Sequence, residues 1–204
     1  MYHPIARPFT VLALATALVA PAAAAQAKTD NAVPPYAPPD VEFMSGMILH
    51  HAQAVLIAGW APSHGASQSV QTLCERIVVG QNDEIAIMQR WLRQRGEPVP
   101  DPASPHATMP GMDHGARMPG MLSPEQLAQL DQARGVEFDR LFLTFMIEHH
   151  MGAVVMVDKL FGTQGAAQDE TTFRLASDVY ADQTTEIGRM QKMLAALPPA
   201  GSSQ

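Results

Sequence analysis

A single cysteine, Cys74, in 204 residues excludes an internal disulfide and leaves no thiolate set to hold a metal. Basic residues are also scarce: thirteen Lys and Arg face twenty Asp and Glu, for a formal charge of −7. With no basic stripe to offset that balance, nucleic acid is excluded as a partner. No segment alternates apolar and polar residues as a half-buried strand does, so an all-α fold is expected. Nor does any nucleophile, base and orienting group form a set that would announce catalysis.

What the chain does have, it has twice. Residues 43–58, FMSGMILHHAQAVLIA, align without a gap on residues 142–157, FLTFMIEHHMGAVVMV. Phe43, Met47, Ile48, His50, His51, Ala54 and Val55 meet Phe142, Met146, Ile147, His149, His150, Ala153 and Val154, and upstream Asp40 meets Asp139. A second echo follows each first one. QNDEIAIMQRWL (81–92) matches QTTEIGRMQKML (183–194), pairing Gln81, Glu84 and Met88 with Gln183, Glu186 and Met190. The period of about a hundred residues is too long for a solenoid and fits one duplicated helical hairpin. Imidazoles inside apolar segments are costly to bury without partners, so a His-His pair kept in both copies belongs to the design of the unit.

The first 27 residues read as a secretory signal: Arg7, an apolar run from Phe9 to Ala20, and a small-residue cleavage site at Ala25-Gln26-Ala27. The run is shorter than the ~20 residues a bilayer span needs, and no lipid-accepting cysteine follows it. A periplasmic or secreted protein with no membrane attachment after cleavage is expected. Residues 28–39 form a proline-rich arm, and Asp40 is the expected N-cap of a helix to about Trp60. A second helix is predicted over about 67–95. Residues 97–122 make a long loop, and Ser123-Pro124-Glu125-Gln126 opens a short lead-in helix with a capping box. Two more long helices follow, about 136–161 and 168–197, and 198–204 is a tail. The organisation is thus a helical domain over 40–197, with repeat one at 40–96 and repeat two at 123–197. Four amphipathic helices, paired by short turns and joined by one long crossover, predict a four-helix bundle of ferritin-like connectivity.

At about 100° per residue, Phe43, Met47, His50, Ala54 and Ile57 share one face, and Phe142, Met146, His149, Ala153 and Met156 share its counterpart. Met47 can share a site with His50 or His51, while the adjacent histidines diverge toward different partners. Imidazole with thioether suits copper, above all Cu(I), with zinc the second choice. Glu84 and Glu186 fit as ligands or as acceptors that orient an imidazole. Met88 and Met190 lie one turn further along the same helices. Core methionines and a buried histidine network are the plainer explanation of the same residues. The loop adds His106, Met109, Met112, His114, Met118 and Met121, with Met-Pro-Gly-Met written twice in a polar stretch. Thioethers bind Cu(I) without deprotonation or a reducing compartment, so this segment is read as a copper-capturing loop rather than as core. His64 reads as an ordinary loop residue and Cys74 as a small core side chain.

The doubled Phe-x-x-x-Met-x-x-His-His-x-x-Ala, the Glu-Ile-x-x-Met segments and the Met-Pro-Gly-Met linker resemble a bacterial family catalogued as a domain of unknown function, number 305. The resemblance covers about residues 40 to 195. It implies an exported, ferritin-like helical protein similar to periplasmic copper-binding resistance proteins. Met47, His50, His51, Met146, His149 and His150 are the implied signature positions and copper the implied ligand. Neither helix pair supplies the Glu-x-x-His of di-iron ferritins, which sets an oxidase role aside. The function expected is sequestration or transfer of Cu(I), in exchange with other periplasmic copper-handling proteins. The rivals are a metal-dependent redox enzyme and an interaction module with a buried histidine network.

Overall fold

A computed structural model describes residues 35–103 and 118–199. The proposed signal, Met109, Met112 and His114, His106 and the end of the tail lie outside the described residues. Within them the chain is all helical, with no strand: α1 Pro38–Ala58, α2 Gln68–Arg95, α3 Pro124–Gln132, α4 Gly135–Gly162 and α5 Glu170–Ala195.

Local chemistry explains the boundaries. Proline at the first position of α1 loses no helical hydrogen bond, so the helix begins at Pro38 with Ala37 as its N-cap. Asp40, expected as the N-cap, is instead the third helical residue, and its Oδ2 accepts the Ala37 N–H at 2.9 Å. Ser123 and Gln126 form the expected reciprocal box, Ser123 Oγ accepting from Gln126 N at 3.1 Å and Gln126 Oε1 from Ser123 N at 2.8 Å. α2 stops where Gly96 turns left-handed at φ 72°. α5 starts later than expected because Asp169 takes the N-cap, accepting from Thr172 N at 3.0 Å.

α1 packs on α2, α4 on α5, and α1 on α4. The last pair is antiparallel, as a reciprocal exchange shows. Asp40, at the start of α1, takes the N–H of Ala167 in the α4–α5 turn at 2.7 Å. Asp139, its counterpart at the start of α4, takes the N–H of Ser67 in the α1–α2 turn with both oxygens at 3.2 Å. Each repeat therefore caps the hairpin turn of the other. Ala167 is held at a positive φ of 54°, a strained position for a residue with a Cβ, where the Asp40 bond helps keep it.

The core has two apolar halves. One gathers Phe43, Met47, Met88, Trp91, Val157 and Leu175. The other gathers Ile57, Ile77, Phe138, Phe142, Met146 and Met190. Each half uses the first part of one main helix of a hairpin and the second part of its neighbour, so corresponding residues of the repeats fall in opposite halves. α1 and α4 are long and apolar enough to cross a membrane by length and composition. Their buried sides here line the interior of the protein, although Met151, Val155 and Phe161 of α4 are exposed.

Two further contacts tie the ends together. Asp169 accepts from Trp91 Nε1 at 2.8 Å and from Arg95 at 2.7 Å, joining the end of α2 to the start of α5. Burial works to raise the Asp169 carboxyl, but the Trp91 and Thr172 hydrogen bonds and the Arg95 charge outweigh it and hold the pKa below its ordinary value. His64, expected to be an ordinary loop residue, is buried. Its Nε2 meets the Asp131 carbonyl at 3.0 Å and its ring stacks on Trp60, so it pins α3 to the α1–α2 turn.

Candidate metal centre

Between the two apolar halves lies a polar layer. His50, His51, His149 and His150 are fully buried there, Gln81 and Gln183 nearly so, and Glu84 and Glu186 close it with side chains 13% and 22% exposed. The face-sharing read from helical spacing puts these residues at the middle of α1, α2, α4 and α5. Burying four imidazoles in one layer is expensive unless their nitrogens are used.

The repeats use them alike at one position. His51 Nε2 meets Glu84 Oε2 at 2.7 Å, and His150 Nε2 meets Glu186 Oε2 at 2.7 Å. A carboxylate can only accept, so in the neutral ring Nε2 carries the proton and Nδ1 keeps its lone pair. His50 and His149 turn away from their neighbours, with ring centroids 6.3 Å apart within each pair, and face each other at 3.9 Å across the α1–α4 contact. His50 Nε2 donates to the Pro119 carbonyl at 3.0 Å, which again leaves Nδ1 as the lone pair. Neither ring nitrogen of His149 has a hydrogen-bond partner, and the Nδ1 atoms of His50, His51 and His150 have none either.

Burial, and then the charge of His51, pushes the His50 pKa down to about 3, although the Pro119 carbonyl works against this. Burial followed by the charges of His50, His150 and His51 holds His149 well below its ordinary value. Both rings are therefore neutral near pH 7, the form in which imidazole binds a metal.

The second Met-Pro-Gly-Met, residues 118–121, closes one side of this layer. Gly120 sits at φ 76°, and a Cβ there would lie 2.7 Å from the Glu148 and His149 carbonyl oxygens. A Cβ on Gly152 would overlap the Pro119 carbonyl and the Gly120 Cα. The strap is held on the α1 side by Gln53, which accepts from Leu122 N at 2.7 Å and donates to Leu122 O at 3.2 Å. Met121 is thus 8% exposed and packed rather than displayed, which corrects the expectation that the whole Met-rich loop stands apart from the core. Met118 is half-buried and lines a small apolar cavity with Phe43, Gly46 and Met156.

The remaining expected site residues fall inside the core. Met47 and Met146 are fully buried about one turn before the histidines, one in each apolar half, and Met88 and Met190 are likewise fully buried, one in each half. The Cys74 thiol is pushed up to about 12 by burial and then by Asp139, so it stays protonated. Among the described residues, no three His, Cys, Asp or Glu side chains stand together as a ready-made ion cage. Sequence reasoning missed Pro119, Gly120, Gln53 and Gly152. The available signal was a difference between the repeats two residues after the His-His pair, Gln53 in one and Gly152 in the other.

Known structures share this architecture. A candidate secreted protein of the DUF305 family from Streptomyces coelicolor is 26% identical, with a TM-score of 0.65 over 77% of this chain and 92% of that one. A DUF305 fragment from Deinococcus radiodurans is 30% identical, with a TM-score of 0.67 over 80% of this chain and 100% of that one. CopM in its Cu(II)-bound form is 28% identical, with a TM-score of 0.61 over 76% of this chain and 95% of that one. CopM is also known in Cu(I)-bound, silver-bound and apo forms. No curated protein matches the chain. The family model described as a domain of unknown function, DUF305, matches residues 40–194, and the chain belongs to that family.

Proposed function

We propose that this protein is an exported Cu(I)-binding protein that sequesters copper or hands it on to other periplasmic copper-handling proteins. Its four long helices form a bundle of ferritin-like connectivity, preceded by a cleaved signal at 1–27; the proline-rich segment expected over 28–39 gives way to α1 at Pro38. The observation that carries the reading is the buried layer in which His50, His51 and His150 keep Nδ1 unpaired and His149 keeps both nitrogens unpaired. Buried polar atoms without partners call for an explanation, and an ion supplies one. Glu84 and Glu186 then act as acceptors that fix the ring and its tautomer, the usual arrangement behind a ligating imidazole.

The donor set favours soft copper. Among the described residues histidine and carboxylate do not form a cage by themselves, whereas Met47 and Met146 flank the histidines along α1 and α4 and add thioethers without needing to lose a proton. Zinc, which takes four nitrogen, oxygen or thiolate ligands, fits this set less well. Met109, Met112, His114, Met118 and Met121 of the Met-rich segment supply a second class of copper ligands. CopM, similar over most of both chains, binds Cu(I), Cu(II) and silver, which supports copper as cargo here.

The test is a Cu(I) titration against a competing chelator. The mature chain is compared with Met47→Leu/Met146→Leu, a swap of nearly conserved volume, and with a variant in which Met109, Met112, Met118 and Met121 become Leu. The core pair should weaken Cu(I) at least about ten-fold, or ~1.4 kcal/mol, with helix content unchanged. The loop variant should lose an additional, separate class of sites. Absence of Cu(I) binding by the unaltered chain would leave the histidines as a buried polar network and overturn the proposal.

A further inference from the structure

The side of the histidine layer away from the strap opens into a cleft of about 240 Å³ between α2 and α5. Its walls carry three carboxylates, Glu84 from α2 with Asp182 and Glu186 from α5. Gln81 and Gln183 line it too, 3% and 2% exposed, and both amide oxygens and the Gln81 amide nitrogen lack hydrogen-bond partners. An amide oxygen left unused at a cavity wall can ligate a cation or accept a hydrogen bond from water. These features lie next to the candidate centre: the oxygens bonded to His51 and His150 belong to Glu84 and Glu186, the same residues that face the cleft. Arg76 and Arg189 also line the cleft. With two guanidiniums against three carboxylates, the balance remains negative. The crowding of like charge is felt at Asp182, whose carboxyl is raised by burial and then by Glu84, Glu186 and Asp178.

We propose that the α2–α5 cleft is the port through which a metal cation passes between solvent and the buried histidines. Asp182, exposed at the mouth, attracts the ion. The amide oxygens of Gln81 and Gln183 replace part of its hydration shell. Glu84 and Glu186, at the inner end of the cleft, then guide it past the Nε2–H groups they hold toward the free Nδ1 atoms of His51 and His150. The strap over His50 closes the other side, so capture and retention are handled on opposite faces of one layer. A cleft with a net negative lining raises the local concentration and association rate of cations, and a port of this kind acts on rate before it acts on affinity.

This inference rests on the copper reading, and its test separates the two. Uptake of Ag(I), a redox-inert stand-in for Cu(I) added as its nitrate, is followed by stopped-flow absorbance at low and at high salt. Equilibrium Cu(I) titrations are run on the same samples. The mature protein is compared with Asp182→Lys, with Asp182→Asn, and with Asp158→Lys, a charge change at an exposed position of α4 away from the cleft. Asp182→Lys should slow association about ten-fold or more at low salt and Asp182→Asn by less. The salt dependence of the rate should shrink, and the number of ions bound at equilibrium should be unchanged. Asp158→Lys should leave the rate within about two-fold of the parent. Normal equilibrium binding with an association rate indifferent to Asp182, or equally sensitive to Asp158, would overturn the port and spare the copper reading. No uptake and no equilibrium binding by the parent would overturn both.

Discussion

The two repeats place the same residues in the same layer, yet they leave their central histidines in different states. His50 spends a nitrogen on the Pro119 carbonyl, whereas His149 has no partner on either nitrogen. The cause lies three residues further along each helix. At that position repeat one has Gln53, whose amide reads both polar groups of Leu122, and repeat two has Gly152, whose missing side chain lets Pro119 and Gly120 lie against α4. A duplicated ligand set has thus been made unequal by one loop crossing it. The layer keeps its two-fold pattern at the outer His–Glu pairs and loses it at the inner pair, so the inner histidines are where the repeats have divergent tasks.

Acid should expose the cost of burying that inner pair most strongly. In the unfolded chain both rings take a proton near the ordinary histidine value of about 6.5, whereas in the fold His50 holds off until about 3 and His149 stays well below its ordinary value. Below about pH 6.5 the unfolded state therefore binds more protons, and the stability of the metal-free protein falls as pH drops toward 3. The slope is at most about 1.4 kcal/mol per pH unit for each ring, and stability is highest above pH 6.5. Denaturant melts of the metal-free protein at pH 7, 5 and 4 measure it. The single variants sharpen the contrast. His149→Leu should flatten the acid limb at little cost at pH 7, while His50→Leu should flatten it but cost about 1–3 kcal/mol by orphaning the Pro119 carbonyl. Equal costs at pH 7 would mean that the strap does not distinguish the two rings.

Breaking the strap contact is the next largest effect. Gly152→Ala forces a methyl group into the Pro119 carbonyl, and overpacking against backbone of this kind costs about 1–3 kcal/mol. Gly188→Ala, in α5 with nothing within 4 Å of the added carbon, should instead gain up to about 1 kcal/mol from helix propensity. Thermal melts of the two variants should shift in opposite directions. A shift of the same sign would show that the strap yields freely and does not hold His50.

That contrast also marks where the sequence stops being legible. Helical periodicity placed the histidines, glutamates and glutamines on interior faces because a side chain's position along a helix fixes its direction to within a fraction of a turn. The duplication added the inference that both copies do the same thing. Periodicity assigns no face to Gly152, since it has no side chain; the duplication marks it only as a mismatch with Gln53, and nothing in Met-Pro-Gly-Met says which carbonyl meets which ring. Met121, spaced from its neighbours by proline and glycine in a polar stretch, reads in sequence as part of a copper-capturing loop rather than as core. The structure buries it, because the positive φ of Gly120 is what turns the chain down onto α4. His64 was missed for a similar reason, its partner Asp131 lying 67 residues away. Contacts between elements depend on how helices dock, and periodicity within one element is silent about docking.

Asp40 and Asp139 offer the finest comparison, because sequence made them equivalent and geometry makes them unequal. Both are buried and each caps the other repeat's hairpin turn. Asp40 divides its oxygens between two donors, Ala37 N at 2.9 Å and Ala167 N at 2.7 Å. Asp139 turns both oxygens toward one donor, Ser67 N, at 3.2 Å each. Asparagine keeps one oxygen and places an NH₂ where the other stood. Asp139→Asn can therefore retain its single bond by turning the remaining oxygen toward Ser67 N and the NH₂ away from it, while Asp40→Asn, with a separate N–H at each oxygen, must give up one of two. A lost hydrogen bond to a charged acceptor is worth about 1.5–3 kcal/mol, so Asp40→Asn should destabilise by roughly that much and Asp139→Asn by about 1 kcal/mol or less. Faster amide hydrogen exchange at Ala167 than in the parent should accompany the first change, with Ser67 little altered in the second. Equal destabilisation would mean that the two caps bear the same load, and that the inequality of the repeats is confined to the histidine layer and its strap.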